Sequence, residues 1–263
     1  MTTLDPSDYE TIGFSRDAGV LTLTLDSGRP YNALTSRLHT ELATVFAELR
    51  TDPDTSAVVL TGHGSAFCAG ADLDWIGDHT PADRDRLFAE GRAIVLDLLE
   101  LPQPVVAAVE GPAIGFGATL ALFADVTFMA ANARIGDPHV LVGLAAGDGG
   151  AVIWPWLVGA GRAKRYLMTG DVLDGVRAER IGLVEEVTEP GGALASATAF
   201  ARRLANGNAR AIRATKASVN KILRDTANLV LDTSLALEKE CMAAPEFPIA
   251  VAAMRDRLKR PVS

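Results

Sequence analysis

The chain has 263 residues, 48% of them hydrophobic and 22% charged, with a formal net charge of −8. That length and apolar content can bury a substantial core and fit one large domain, or one with a small appendage; the acidic balance excludes general nucleic-acid binding, which needs a positive surface. The two cysteines, Cys68 and Cys241, lie far apart without metal-ligand spacing, so they read as reduced, buried thiols of a cytoplasmic protein and imply no metal.

Asp5, Asp8 and Glu10 precede the first apolar run with no basic lead, so no signal peptide is expected. The most apolar stretch, 112–124, is stopped by Asp125 and is too short to span a bilayer. Alternation from Val20 to Asp26 predicts a half-buried strand, followed by a turn at Ser27-Gly28-Arg29-Pro30. Thr35 can cap a helix whose apolar residues Leu38, Leu42, Val45, Phe46 and Leu49 recur at spacings of three and four. A β-branched run at 57–61 then leads through Gly62-His63-Gly64 into Ala66-Phe67-Cys68-Ala69-Gly70-Ala71-Asp72-Leu73, a small-residue loop opening into a helix. Backbone N–H groups at such a helix start receive developing negative charge well, and Ala and Gly let a substrate carbonyl lie against the main chain. A plain strand-to-helix connection would read the same way.

Residues 74–89 are charged and lack a clean period. A helix through Ile94, Leu98 and Leu99 precedes a buried strand at 105–109, and 110–119 again passes from a strand through glycines into an apolar helix. A strand at 125–130 follows, then Asp137-Pro138-His139-Val140, Gly143-Leu144 and Gly147-Asp148-Gly149-Gly150. Beyond Pro190 the sequence predicts helices over 193–206, 209–225, 230–242 and about 249–259. Imidazole titrates near neutrality and can serve as acid or base, which singles out His139, with Asp148 as a carboxylate to orient it and favour its charged form. His39, His63 and His79 read as surface residues.

The loop from Phe67 to Leu73 resembles the Phe-x-Ala-Gly-x-Asp-Leu loop of the crotonase (enoyl-CoA hydratase/isomerase) superfamily, and Asn32-Ala33-Leu34 and Ala178 to Val184 resemble further segments of it in order. The resemblance implies an α/β fold: a crotonase-type ββα spiral over about 1–200 and a C-terminal helical region over 201–263 that makes homotrimers or homohexamers. It implies an acyl-CoA substrate, with CoA as part of that substrate and no separate cofactor. Its oxyanion donors fall on the N–H groups of Ala71 and Phe116, the latter where the family usually has glycine. The family's two catalytic glutamates fall on Thr119 and His139. Ala69, Asp72, Leu73 and Trp75 fall on the substrate loop, and Trp75, Ile76, Leu87 and Phe88 are candidates for the acyl pocket. Arg29, with Arg255, Arg257, Lys259 and Arg260, could hold phosphates. The His139–Asp148 pair also resembles the β-diketone hydrolase branch typified by 6-oxocamphor hydrolase, which adds a glutamate from the helical region, here Glu238. Three readings follow: an acyl-CoA hydratase or isomerase using His139, a carbon–carbon bond hydrolase, and a non-catalytic homologue; isomerisation and hydrolysis, which one base can serve, fit better than hydration, for which the sequence shows no second proton-handling group.

Overall fold

The computed structural model describes residues 4–77 and 79–259. An antiparallel pair, β1 (Ile12–Asp17) and β2 (Val20–Leu25), opens the chain, and α1 (Ser36–Leu49) follows with Thr35 accepting from the Leu38 N–H. β3 (Ala57–Gly62), the single turn α2 (Leu73–Ile76), α3 (Pro81–Glu100) and β4 (Val105–Val109) come next. Then come β5 (Ala113–Ile114), α4 (Phe116–Leu122), β6 (Val126–Ala130), β7 (Arg134–Gly136), α5 (Gly150–Val158) and α6 (Ala160–Thr169). The remainder is β8 (Leu173–Asp174), α7 (Gly175–Arg180), β9 (Glu186–Thr188), α8 (Ala193–Ala205), α9 (Ala209–Ala243) and α10 (Glu246–Lys259).

Six strands form one sheet in the order β1-β2-β3-β4-β6-β9, parallel from β2 onward, and β5-β7-β8 form a second, smaller sheet. β3, up to Leu60, and β4 are continuous apolar runs because both of their faces are covered. Val58 and Leu60 meet the core shared with Leu42, Phe46 and Ile94. Their neighbours in the strand, Val59 with Val106, meet α8, where Ala193, Ala197 and Ala201 recur every fourth residue and let the helix lie close. Adjacent parallel strands β3 and β4 therefore end side by side, and the two loops after their carboxyl ends emerge together, where ligands of open parallel sheets bind.

The C-terminal part departs from the sequence expectation in two ways. The helices predicted over 209–225 and 230–242 are one 35-residue helix, α9. No glycine or proline interrupts it, and buried Ala227 and Leu231 anchor the stretch between the two predicted pieces. α10 starts at Glu246, before the predicted 249, with Pro248 tolerated in its first turn. Among the described residues no helix is long and apolar enough to cross a membrane.

Candidate active site

Asn32 ties the first loop in place. It adopts φ +53°, which asparagine tolerates, and its side-chain amide donates to the carbonyls of His63 (3.0 Å) and Ala66 (2.9 Å). The Leu34 N–H donates to Gly70 O at 2.8 Å and the Asp72 N–H to Leu34 O at 2.9 Å, so Ala71 is held from both sides. The second loop is stitched to the first by Ile114 N–H donating to Cys68 O at 2.9 Å. Gly70 (φ +82°) and Gly115 (φ +57°) take the left-handed conformations that turn the chain just before the two amides of interest. Among the described residues neither the Ala71 nor the Phe116 N–H has an acceptor, and both residues line one cleft.

His139, Asp148 and Glu238 line the same cleft. His139 opens a short 3-10 turn after Pro138, and its Nδ1 contacts Asp137 Oδ1, which also accepts from the His139 N–H at 3.4 Å. The other ring nitrogen, Nε2, lies 3.2 Å from Asp148 Oδ2 and 3.8 Å from Glu238 Oε1. Thr119 Oγ1 donates to the second Asp148 oxygen at 3.3 Å. Glycines allow this convergence. A Cβ on Gly147 would sit 2.3 Å from Ser234 O, so α9 lies directly on the loop and presents Glu238 one turn later. A Cβ on Gly150 would sit 2.1 Å from Asp137 Oδ2.

Burial is the largest single influence on His139 and opposes its charge, but Asp137 and Asp148 together outweigh it and hold the imidazolium well above the usual histidine range. Burial, then the Asp148 charge, pushes Glu238 well above the usual carboxylate range, with His139 opposing. The cluster therefore favours the charged form of His139 and the neutral form of Glu238. Asp137, His139 and Asp148 offer ligand atoms within 4.8 Å of one another, a spacing a cation could use. Asp137 is nevertheless committed to the ring, and a cation on Nε2 would have to displace a proton that two carboxylates favour.

The family model described as enoyl-CoA hydratase/isomerase matches residues 15–259. The chain belongs to the enoyl-CoA hydratase/isomerase family. It is 36% identical over 213 residues to a probable enoyl-CoA hydratase, echA8, of Mycobacterium tuberculosis, covering 81% of this chain and 82% of the relative. It is 30% identical over 257 residues to the short-chain-enoyl-CoA hydratase of Clostridium acetobutylicum, covering 96% and 97%. A crystal structure of an enoyl-CoA hydratase/isomerase from Mycobacterium paratuberculosis superposes with a TM-score of 0.90 at 34% identity, covering 94% of this chain and 99% of that one.

Within this enoyl-CoA hydratase/isomerase fold, Trp75, Ile76, Leu87 and Phe88 line the cleft beside Phe116. Other residues of the substrate loop have different tasks. Asp72 caps α2 through the N–H groups of Asp74 (2.8 Å) and Trp75 (3.2 Å) and pairs with Arg29 Nε at 2.7 Å. Leu73 is not among the lining residues; it packs with Leu144 of the loop before α5 and with Phe247 and Val251 of α10. Ala69, also absent from the lining, donates its N–H to Tyr31 O at 3.1 Å. Arg255 donates to Leu73 O at 2.9 Å and faces Asp74 at 3.1 Å, which ties it to α2 rather than to a phosphate. Arg257 and Lys259 are exposed near the end of α10, and Arg260 lies outside the described residues.

Two residues escaped the sequence reading. Asp137 holds the ring nitrogen that Asp148 does not reach; a carboxylate two positions before a candidate histidine was the available signal. His39 is not a surface residue: it is 3% exposed and lines the cleft. Its place at i, with Leu42 and Phe46 at i+3 and i+7, sets it on the apolar stripe of α1. His79 is partly buried beside a second cavity that Arg84 also lines, whereas His63 is exposed as expected.

Cys68 is fully buried, and desolvation pushes its thiol up to about 11. A thiol reagent is expected to modify the half-buried Cys241 in the native protein and to reach Cys68 only on unfolding. Peptide mapping after timed labelling checks the order, and native labelling of Cys68 first would contradict it.

Proposed function

We propose that this enzyme-family member acts on acyl-CoA thioesters, with the Ala71 and Phe116 N–H groups receiving the thioester oxygen and His139 carrying the proton in place of the family's glutamates. The observation that supports this most directly is the convergence of two acceptor-free amides and the His139 imidazole on a single cleft. Preorganised N–H donors stabilise charge that develops on oxygen as an enolate forms, a contribution of about 3 kcal/mol per donor in comparable sites. His139, protonated between Asp137 and Asp148, is suited to deliver a proton to the enolate carbon. Thr119 has a hydroxyl in place of a carboxylate, so it positions Asp148 rather than moving a proton itself.

A carbon–carbon bond hydrolase is the second reading, favoured by the approach of Asp148 and Glu238 to His139 Nε2 from two different elements. One screen decides between them: 2-enoyl-CoA substrates of several lengths against cyclic β-diketones, with CoA binding measured by calorimetry. Diketone cleavage without CoA affinity would overturn the thioester reading, and neither turnover nor CoA affinity would leave a non-catalytic homologue. Exposed Val219, Ile222 and Leu229 on α9 and Ile249 and Leu258 on α10 support a homo-oligomer, which sedimentation of the purified protein tests.

A further inference from the structure

Resting on the acyl-thioester reading, one feature of the cleft names the reaction. Hydration of a double bond places water's oxygen on one carbon and a proton on its neighbour, so it uses two proton-handling groups. His139 and its carboxylates supply one. On another wall of the cleft stands a second histidine–carboxylate pair, built from α1 and α3 and sharing no residue with the first. His39 Nδ1 lies 2.8 Å from Glu90 Oε2, and Glu90 is fixed further by Thr40 Oγ1 at 3.0 Å and by Arg86 at 3.9 Å. The His39 ring is braced in the cleft by Trp75 and Phe116, with centroids 5.8 and 5.5 Å away.

The two histidines differ in what their second nitrogen meets. In His139 both nitrogens face carboxylates, which favours a proton on each. In His39 only Nδ1 does. A carboxylate at Nδ1 selects the tautomer with Nδ1–H, so Nε2 of the neutral ring keeps its lone pair. Nε2 has no hydrogen-bond partner among the described residues. Gly91, which also lines the cleft, stands next to it: a Cβ built there would lie 3.8 Å from Nε2, and its absence leaves that nitrogen open.

We propose that His39, oriented by Glu90, is the base that activates water, and that the reaction is hydration of a 2-enoyl thioester. His39 Nε2 takes a proton from water as the water oxygen bonds to C3 and the C2–C3 π bond breaks. The electron pair moves through C2 and the thioester carbon to the oxygen held by the Ala71 and Phe116 amides. His139 then gives its proton to C2 as the carbonyl re-forms. His39 ends one proton richer and His139 one poorer, and solvent resets both. No oxidant or further co-reactant is consumed.

The test compares two reactions: hydration of crotonyl-CoA, and exchange of the C2 protons of butyryl-CoA in deuterium oxide. The second needs the amides and His139 but adds no water. His39→Gln is expected to lower kcat for hydration by about 10²-fold or more with a small change in KM. C2 exchange should persist in that variant and disappear in His139→Gln. Glu90→Gln, which keeps the shape of the pair, is expected to cost about 10-fold. Imidazole added to His39→Ala should restore part of the hydration rate, which a purely structural histidine would not allow. Should His39→Gln fail to fold, Glu90→Gln and Gly91→Ala, whose methyl stands before Nε2, carry the test through their hydration rates. Wild-type hydration rates in Glu90→Gln and His39→Gln, or equal loss of hydration and exchange in His39→Gln, would overturn the role of His39. Absence of both reactions in the wild type would instead overturn the thioester reading beneath it.

Discussion

Replacing His139 with glutamine is expected to lower turnover by about 10²–10⁴-fold, the range for a group that moves a proton in the transition state. Glutamine keeps a donor near the carboxylates but cannot carry a proton. It also removes the cation between Asp137, which is 2% exposed, and Asp148. Breaking one side of a buried charged cluster typically costs about 3 kcal/mol, so the variant should be less stable as well as slow. The pH dependence separates the two effects. His139 has its pKa raised on folding, so the stability it contributes is complete below the ordinary histidine value of about 6.5 and is lost as pH climbs through the elevated folded value. Urea unfolding of wild type and variant across pH should therefore converge on the alkaline side. On the proposed role of His139, wild-type turnover should fall there too, because the proposed donor has lost its proton. A stability gap that widens with rising pH would contradict the charge assigned to His139.

The sequence made the two loops legible because each pairs a continuous apolar strand with a glycine turn and a helix start, all local signals. The family resemblance then put the donors on Ala71 and Phe116, the chemistry of imidazole singled out His139 with Asp148 in the 137–150 segment, and the cleft contains all four. What the sequence obscured depends on distance along the chain. His39 and Glu90 are 51 positions apart and meet only because α1 and α3 pack together. A single histidine on a helix carries no local mark of burial, although its register with Leu42 and Phe46 was available. Residues 74–89 were unreadable by period because they hold a one-turn helix, a break and the start of α3. The signal present there was a capping box: Thr80 accepts from the Asp83 N–H and Asp83 from the Thr80 N–H, with Pro81 at the first helical position. Asp72 and Leu73 carry the family pattern, yet one caps a helix and the other packs against α10, so a motif position does not by itself mean contact with a ligand.

Gly117→Ala should cost the protein about 3 kcal/mol or more, or prevent it from folding. Helix propensity predicts the opposite sign: Gly117 is inside α4, where alanine is favoured by about 1 kcal/mol. Sterics decide the outcome. The added Cβ would stand 2.1 Å from Cys68 O and 2.9 Å from Cys68 C, both main-chain atoms that no side-chain rotation can move. Relief requires the two loops to part, stretching the bond from Ile114 N–H to Cys68 O and drawing the Phe116 amide away from the Ala71 amide. Gly161→Ala is the matched control, since nothing lies within 4 Å of its added Cβ on α6, and it should gain about 0.5 kcal/mol or more. Urea unfolding of both variants gives the comparison. If Gly117→Ala folds at a reduced temperature, its activity should fall further than its folded fraction, because the two amides proposed to hold the oxyanion are misplaced even in molecules that fold. Wild-type stability and turnover in Gly117→Ala would mean that the close approach of Gly117 to Cys68 does not set the spacing of the two amides.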